Sequence, residues 1–245
     1  MQVLVRGLHI LTQFTAEEPA LSLAELGRRT GLHRATVYRF VKTLEAEGFV
    51  AMDANTGLYR VGRTWATALY LLGGNSILSE ILDEDLRRLA DTAGESASLS
   101  VRKGDYIQMI DITPPSSGFT PIPPANPMVP LSEHSMVHAR IHLAYASDET
   151  KKKMLGVPAI RHTDRTITDR AAIEARLARI VEQGITYSRG EYRNGSAALA
   201  VPVFSQGSMV AGVGLVVPIE RYDANLERYE RELREAAAAM SARLA

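Results

Sequence analysis

The sequence contains no cysteine, no long hydrophobic run and no excess of charge of either sign. The absence of cysteine excludes disulfide bonds, thiolate metal sites and cysteine nucleophiles, and it fits a reducing cytoplasm. Arg6 and His9 interrupt the first residues, so these do not form the apolar core of a signal peptide. No apolar run approaches the roughly 20 residues that a membrane-spanning helix needs. We therefore expect a cytoplasmic protein with no membrane partner.

The formal net charge is zero, because 28 Lys and Arg residues are balanced by 28 Asp and Glu residues. Proteins that bind nucleic acids gain much of their affinity from positive charge placed near phosphates. The first 70 residues hold 8 basic and 6 acidic side chains, which is a small asymmetry. Any DNA binding must therefore depend on the local placement of charge and on doubling by a partner subunit.

The stretch from Ser22 to Glu47 predicts two helices joined by a tight turn. Ser22 and Glu25 have the spacing of a capping box, which satisfies backbone N–H groups at a helix start. Gly31 is expected to end the first helix, because glycine enters the left-handed conformation at little steric cost. The second helix has an apolar face that repeats at three- and four-residue steps and consists of Val37, Phe40, Val41 and Leu44.

The opposite face of the second helix is polar and basic. In a helix-turn-helix, the second helix enters the major groove with its N-terminal residues against base edges. The candidate DNA-binding residues on this face are Arg34, Ala35, Thr36, Tyr38, Arg39 and Lys42. The alternative is a solvated face, since two helices with a glycine turn also occur in proteins that bind no nucleic acid.

A β-hairpin is predicted directly after the second helix. The sequence FVAMD runs into the turn Ala54 to Gly57, and LYRVG returns from it. This order makes a winged helix-turn-helix and favours DNA binding over a winged fold without nucleic acid. Asn55 at the tip and Arg60 on the returning strand suit contacts with the DNA backbone or the minor groove.

We predict a DNA-binding domain at residues 1–62, a linker helix at 63–75 and a second domain at 76–245. The linker helix contains Trp65, which is expected to pack either against the linker of a partner subunit or against its own domain. The second domain begins with a helix from Ser76 to Thr92 and continues with two strands around a turn at Lys103 to Asp105.

The rest of the second domain alternates helices and strands. Thr113 to Pro130 holds seven prolines, which indicates an irregular loop that could form a lid over a cavity. The remaining predicted helices are Ser132–Ala146, Asp148–Met154, Asp169–Gln183 and Asp223–Leu244, and the remaining strands are Ile185–Arg189, Leu199–Phe204 and Met209–Val217. This order predicts an α+β domain with helices packed on an antiparallel sheet.

Nearly the whole chain resembles the IclR family of bacterial transcriptional regulators. In the first domain the resemblance rests on LSLAELGRRTGLHRATVYRFVKTLEAEGFV and TGLYRVG. In the second it rests on VPL before His134, on RTITDRAAIEARLARIVEQGITYSRGEY, and on LAVPVF leading to VAGVGLVVP. The segments SMVHAR and GSAA, at residues 135–140 and 195–198, depart from the family pattern.

The resemblance implies a winged helix-turn-helix joined by a linker helix to a GAF-like effector-binding domain. Such proteins act on a palindromic operator as a homodimer or a dimer of dimers. They act as a repressor or an activator of genes, often genes for the breakdown of aromatic or other small carbon compounds. The implied partners are therefore double-stranded operator DNA, a second copy of the chain, and a small-molecule effector from a catabolic pathway. No cofactor, metal or catalytic residue is implied.

The candidate effector-binding residues lie in four segments of the second domain: Phe119, Met128, His134, Met136, Glu191, Tyr192 and Ala198. Phe119 and Met128 are expected either to cover an apolar ligand or to belong to the core. Glu191 and Tyr192 are expected either to meet the ligand or to form a solvated turn.

Three histidines, His134, His138 and His142, stand at four-residue steps and would share a helix face. They could bind a metal, line the effector pocket, or lie at the surface or in a dimer contact. A rival interpretation of the chain is an enzyme that acts on a small metabolite, with the winged domain as an interaction module. No Ser-His-Asp order, phosphate loop or carboxylate pair supports that rival.

Overall fold

The computed structural model describes residues 2–15, 18–65, 76–117 and 128–244. The chain divides into two compact units, Met1–Ile77 and Leu78–Ala245, and each is described by itself. Of the predicted linker helix, residues 63–65 form a helical turn and residues 66–75 lie outside the described residues. None of the described helices is both long and apolar enough to cross a membrane.

Within residues 2–61, the described part of the N-terminal unit contains three helices and a small antiparallel sheet. The helices are α1 (Gln2–Leu11), α2 (Leu23–Thr30) and α3 (Arg34–Ala46), and the strands are β1 (Ala20–Leu21), β2 (Val50–Met52) and β3 (Tyr59–Val61). The strand order is β1-β3-β2, so the predicted hairpin gains a third strand that was not expected from the sequence. The core residues are Ile10, Leu21, Leu26, Val37, Val41, Val50 and Tyr59.

Both ends of α2 have the predicted geometry, with one difference at its start. Gly31 ends α2 at a φ of 67°, in the left-handed region. Ser22 Oγ accepts the backbone N–H of Glu25 at 3.1 Å and caps the start of the helix. The Glu25 carboxylate is bound by Arg28 and Arg29, so the second half of the expected capping box is replaced by ion pairs.

The C-terminal unit is an antiparallel sheet with helices on both faces. Its helices are α4 (Ser76–Ala93), α5 (Val137–Ala144), α6 (Asp148–Leu155), α7 (Arg170–Gln183) and α8 (Ile219–Arg243). Its strands are β4 (Ser96–Lys103), β5 (Tyr106–Thr113), β6 (Met128–Pro130), β7 (Thr186–Arg189), β8 (Ser196–Ser205) and β9 (Ser208–Pro218). The strand order is β6-β5-β4-β9-β8-β7, and every pairing is antiparallel.

Side-chain alternation along the central strands supplies two cores. Leu199 and Val201 of β8 pack with α4 and α8, whereas Ala200 packs with α5, α6 and α7. Because successive residues of a strand point to opposite faces, one strand contributes to both cores. The β8–β9 hairpin closes through Gln206 and Gly207, whose φ angles of 49° and 78° are those of a two-residue hairpin turn.

Two predicted elements of this unit differ from the structure. Residues 131–136 form turns, so the helix expected from Ser132 begins only at Val137. The expected loop up to Pro130 ends in strand β6, while residues 118–127 lie outside the described residues. Pro130 is compatible with a strand there because β6 is at the edge of the sheet, where a missing N–H costs no ladder bond.

Candidate nucleic-acid interface and effector site

Helix α3 is held in the N-terminal unit by its apolar side and presents the opposite side to solvent. Val37 and Val41 are fully buried. The exposed candidates on its outer side are Arg34, Ala35, Tyr38, Arg39 and Lys42, whereas Thr36 is half-buried. His33 precedes the helix and caps its start, because its Nδ1 accepts the backbone N–H of Ala35 at 3.3 Å.

The three basic side chains of this face differ in their surroundings. Lys42 Nζ lies 2.7 Å from Glu45 Oε2 and 5.9 Å from the centre of the Tyr38 ring. The hydrogen bond to Glu45 raises the pKa of Lys42. Within residues 18–65, Arg34 and Arg39 form no ion pair with an acidic side chain, so their guanidinium groups are available to an external acceptor. Guanine and phosphate are the acceptors that suit a guanidinium fork.

The tip of the predicted wing is ordered by one carboxylate. Asp53 Oδ1 accepts the backbone N–H groups of Asn55 at 2.9 Å and Thr56 at 3.1 Å. These bonds lower the pKa of Asp53 and hold the Asn55 side chain at the exposed tip. Arg60 lies on β3 opposite Ala51 and is exposed. Both wing candidates can therefore reach a ligand outside the unit.

The structure brings four of the effector candidates into one region of the C-terminal unit. Met136 stands at the N-cap position of α5, and it packs with Ala198 of β8 against the same apolar cluster. Ser188, the partner of Ala198 across β7 and β8, donates from its Oγ to Ser135 O at 3.4 Å. His134 and Glu191 lie in the turns that precede α5 and follow β7, and both are buried.

Of the other three candidates, Met128 and Tyr192 are largely exposed. Phe119 lies outside the described residues. Met128 is 49% exposed on the edge strand β6. Tyr192 is 44% exposed, and its ring centre lies 4.8 Å from that of His162. His162 in turn places Nε2 2.8 Å from Glu133 Oε2, beside His134 in the chain.

The three spaced histidines do not share a face, because His134 precedes α5. His138 and His142 are buried on α5 and contact the hydroxyls of Ser98 and Ser100. Burial lowers the pKa of His138 to about 3 and that of His142 to about 4, so both imidazoles are neutral near pH 7. In the part of the chain that the structure describes, no three His, Asp or Glu side chains are grouped to hold a metal.

Arg140 is a residue of this region that was not among the predicted site residues. It is 1% exposed and donates from Nη1 to Glu191 Oε2 at 2.7 Å. Arg176 Nη1 reaches the same oxygen at 2.6 Å. Burial lowers the pKa of Arg140 to about 10. The negative charge of Glu191 acts to raise this pKa, but the effect of burial is larger. The only sequence signal for it was a single arginine within the largely apolar helix VHARIHLA.

Two surface cavities of this unit have walls that include none of the described effector candidates. One has a volume of about 380 Å³ and lies between α4 and α8, where Arg88 and Glu232 contribute to its wall. The other has a volume of about 270 Å³ and is bordered by Tyr145 and Phe204. Neither contains His134, Met136, Glu191 or Ala198 in its wall.

A winged helix-turn-helix unit followed by an α+β unit defines the class of two-domain bacterial transcription factors. Residues 3–54 match the family model of the IclR helix-turn-helix domain, and residues 75–242 match the model of the bacterial transcriptional regulator IclR C-terminal domain. The chain therefore belongs to the IclR family of transcriptional regulators. This confirms the predicted family and fold class.

Curated relatives cover most of the chain. The HTH-type transcriptional regulator Rv1719 of Mycobacterium tuberculosis is 30% identical over 224 residues, which are 91% of this chain and 84% of that protein. The HTH-type transcriptional regulator KdgR of Escherichia coli is 29% identical over 244 residues, 96% of this chain and 89% of that protein. Both relatives are named as transcriptional regulators. This agrees with the prediction of a regulator and argues against the enzyme interpretation.

A solved structure has the same fold. An IclR homologue from Microbacterium hydrocarbonoxydans, complexed with 4-hydroxybenzoate, is 24% identical with a TM-score of 0.64. The match covers 99% of this chain and 98% of that one.

Proposed function

We propose that this regulator binds a near-palindromic operator as a dimer or a dimer of dimers and that a small effector in the C-terminal unit changes its operator affinity. The observation that carries the DNA-reading part is the pair Arg34 and Arg39. Both are exposed on the helix that Val37 and Val41 anchor, and neither is neutralised by a described acidic neighbour. This activity belongs in the cytoplasm, where the chromosome is.

Dimerisation is supported by an uncovered apolar side of α1. The side chains of Val3, Leu4 and Leu8 are 70%, 68% and 52% exposed. Their helical spacing places them on one face of α1, so this apolar face is not covered by the rest of the unit. An exposed apolar face of this kind is typical of an interaction surface. We propose that a second copy of the chain covers this face. A dimer places two α3 helices, and so twice as many basic side chains, against the DNA, which compensates for the zero net charge of each chain.

The effector proposal retains all seven predicted residues, in two groups. His134, Met136, Glu191 and Ala198 would contact the ligand, and Phe119, Met128 and Tyr192 would border its entrance. The relative from Microbacterium hydrocarbonoxydans holds 4-hydroxybenzoate, and this supports a small organic molecule, such as a catabolic-pathway metabolite, as the effector. The division into residues 1–62, 63–75 and 76–245 is part of the same proposal.

Selection of bound genomic fragments would identify the operator, and quantitative binding to it tests the reading face. Arg34→Ala and Arg39→Ala should each cost about 1–3 kcal/mol of operator binding and relax base preference. Arg28→Ala is the matched control, because Arg28 is also exposed in the helix-turn-helix but pairs with Glu25 at 2.5 Å. Wild-type affinity in both α3 variants would show that the assigned face does not read DNA.

A further inference from the structure

The residue that caps the start of α3 is a histidine. The side chains that most often cap a helix are serine, threonine, aspartate and asparagine, because their oxygens accept backbone N–H groups there. In this chain the acceptor is Nδ1 of His33, which receives the N–H of Ala35 at 3.3 Å. An imidazole nitrogen accepts a hydrogen bond only while it carries no proton. This cap therefore depends on the charge of His33.

The contact with Ala35 also fixes the tautomer of the neutral His33 side chain. Because Nδ1 accepts the hydrogen bond, the ring proton of the neutral form is on Nε2. The side chain of His33 is exposed. The other elements that contact α3 do so further along the helix, since the Phe40 ring lies beside Gly7 of α1 and strand β2 follows the C-terminal end of α3. The ring of His33 is therefore open to an external partner.

The charged groups of the two helices that meet at His33 are basic or already paired. Arg28 and Arg29 lie in the last turn of α2, and both bind Glu25. Arg34 is the first residue of α3. Within residues 18–65, no acidic side chain forms an ion pair with His33 or Arg34. A positive charge on His33 would thus have no anionic partner in the described part of its own unit.

Protonation of His33 has different consequences in the free protein and beside an anion. In the free protein it removes the acceptor of the Ala35 N–H and places a positive charge at a helix start, where the aligned peptide dipoles are also positive. A phosphate at this point reverses both effects. The imidazolium gains an acceptor for its Nδ1–H, and the released N–H of Ala35 can donate to the same anion. A bound phosphate therefore favours the protonated form.

We propose that His33 contacts a phosphate of the operator and that DNA binding takes up a proton at this residue, so that operator affinity rises as the pH falls. This inference rests on the proposed function and adds to it a DNA contact and a control by pH. The N-terminal end of the second helix is the part of a helix-turn-helix that approaches DNA. The match of residues 3–54 to the IclR helix-turn-helix domain supports DNA as the anion. Because linked equilibria are reciprocal, a ligand that favours protonation is itself favoured by it.

The other histidines can be separated from His33 by burial and by substitution. The chain has six histidines, and three of them are buried in the C-terminal unit. Burial lowers the pKa of each of these three, which are His134, His138 and His142. His9 is exposed on α1, in the same unit as His33 but not at the start of α3. His9→Gln is therefore the matched control.

The test measures the affinity of the full chain for a genomic fragment that the wild type selects at pH 7. The two conditions are about pH 6 and about pH 7.5, which lie in the range where histidine side chains change charge. Wild type and His9→Gln should each bind the fragment at least about threefold more tightly at the lower pH, because hydrogen bonds to charged groups are the stronger ones. His33→Asn keeps a cap acceptor but carries no charge. Its affinity should be the same at both pH values.

A second readout distinguishes a phosphate contact from a change in helix stability. If the imidazolium of His33 neutralises one phosphate, the slope of log affinity against log salt should be steeper at the lower pH by about 0.9 per half-site. Calorimetry in two buffers of different ionisation enthalpy should show proton uptake on DNA binding by the wild type and none by His33→Asn. Loss of the cap alone has the opposite sign, because it would weaken binding at the lower pH.

Three results would overturn this inference. They are wild-type binding that does not tighten at the lower pH, a wild-type pH dependence in His33→Asn, and a salt slope that does not change with pH. In each of them the wild type still binds its selected fragment, so the proposed function stands. A wild type that selects no genomic fragment would overturn the proposed function and this inference with it.

Discussion

The imidazole of His138 occupies the space that a side chain at position 214 would need. A Cβ built on Gly214 would lie 2.9 Å from His138 Nε2 and 2.8 Å from Leu199 O. Ser98 of β4 stands opposite Gly214 of β9 and places its hydroxyl 2.8 Å from the same Nε2. Serine on one strand and glycine on the next therefore make room for a buried histidine on α5.

Gly214→Ala should lower the free energy of unfolding by about 1–3 kcal/mol, since overpacking of a close-packed core forces the backbone or the imidazole to move. Urea denaturation of the full chain measures the change. Gly7→Ala is the control, because its Cβ would meet the Phe40 ring at an ordinary 3.7 Å. That variant should be at least as stable as wild type, as alanine favours a helix by about 0.5–1 kcal/mol over glycine. Equal stability of Gly214→Ala and wild type would contradict the packing described.

Stability should also fall as the pH is lowered from 7 to 5. The folded pKa of His138 is about 3 and that of His142 about 4, below the value of about 6.5 in an unfolded chain. The unfolded state therefore binds more protons below pH 6.5, and stability is lost as the pH falls toward the folded values. Each histidine can contribute up to about 1.4 kcal/mol per pH unit in this window.

Urea denaturation of wild type and His142→Gln at several pH values measures this dependence. Glutamine keeps a hydrogen-bonding group beside Ser100 but does not titrate, so the variant should show a shallower loss of stability between pH 7 and pH 5. Burial raises the pKa of Glu95, which acts in the opposite direction, but it is common to both proteins. If the pH dependence of stability were identical in the two proteins, His142 would be protonated equally in the folded and unfolded states.

Local signals in the sequence predicted the winged helix-turn-helix well. Ser22, Gly31 and the wing turn act on backbone groups a few residues away, so their spacing alone indicates the structure that they form. The two-residue strand β1 was not predicted, because Ala20 and Leu21 are too few to show a period of two.

The contacts around the proposed effector residues were harder to anticipate, because their partners are distant in sequence. Arg140 and Glu191 are 51 positions apart, and nothing near either residue indicates its partner. His134 has the helical spacing of His138, but the turns at residues 131–136 separate it from α5. The four-residue spacing predicted that the three histidines share a helix face, but the helix begins only after His134.

Ser22→Ala should destabilise the start of α2, because the Glu25 amide loses the acceptor that lies 3.1 Å away. The loss of an N-cap hydroxyl typically costs about 1 kcal/mol. Hydrogen exchange of the Glu25 amide should become faster in this variant. Ser22→Asp keeps an acceptor in the same place and should retain slow exchange. Equally fast exchange in wild type and Ser22→Ala would show that the cap does not form.

Lys42→Ala should weaken operator binding with little change in base preference, in contrast to Arg34→Ala. Lys42 lies two turns into α3, beyond the N-terminal residues that meet base edges, and a point charge there suits a phosphate. The slope of log affinity against log salt should become shallower by about 0.9 for each phosphate that is no longer neutralised, which is one per half-site. Glu45→Gln is the complementary variant, because Glu45 holds Lys42 at 2.7 Å. Removing that carboxylate should tighten binding at low salt. A salt slope unchanged by Lys42→Ala would mean that Lys42 touches no phosphate and serves its ion pair with Glu45 alone.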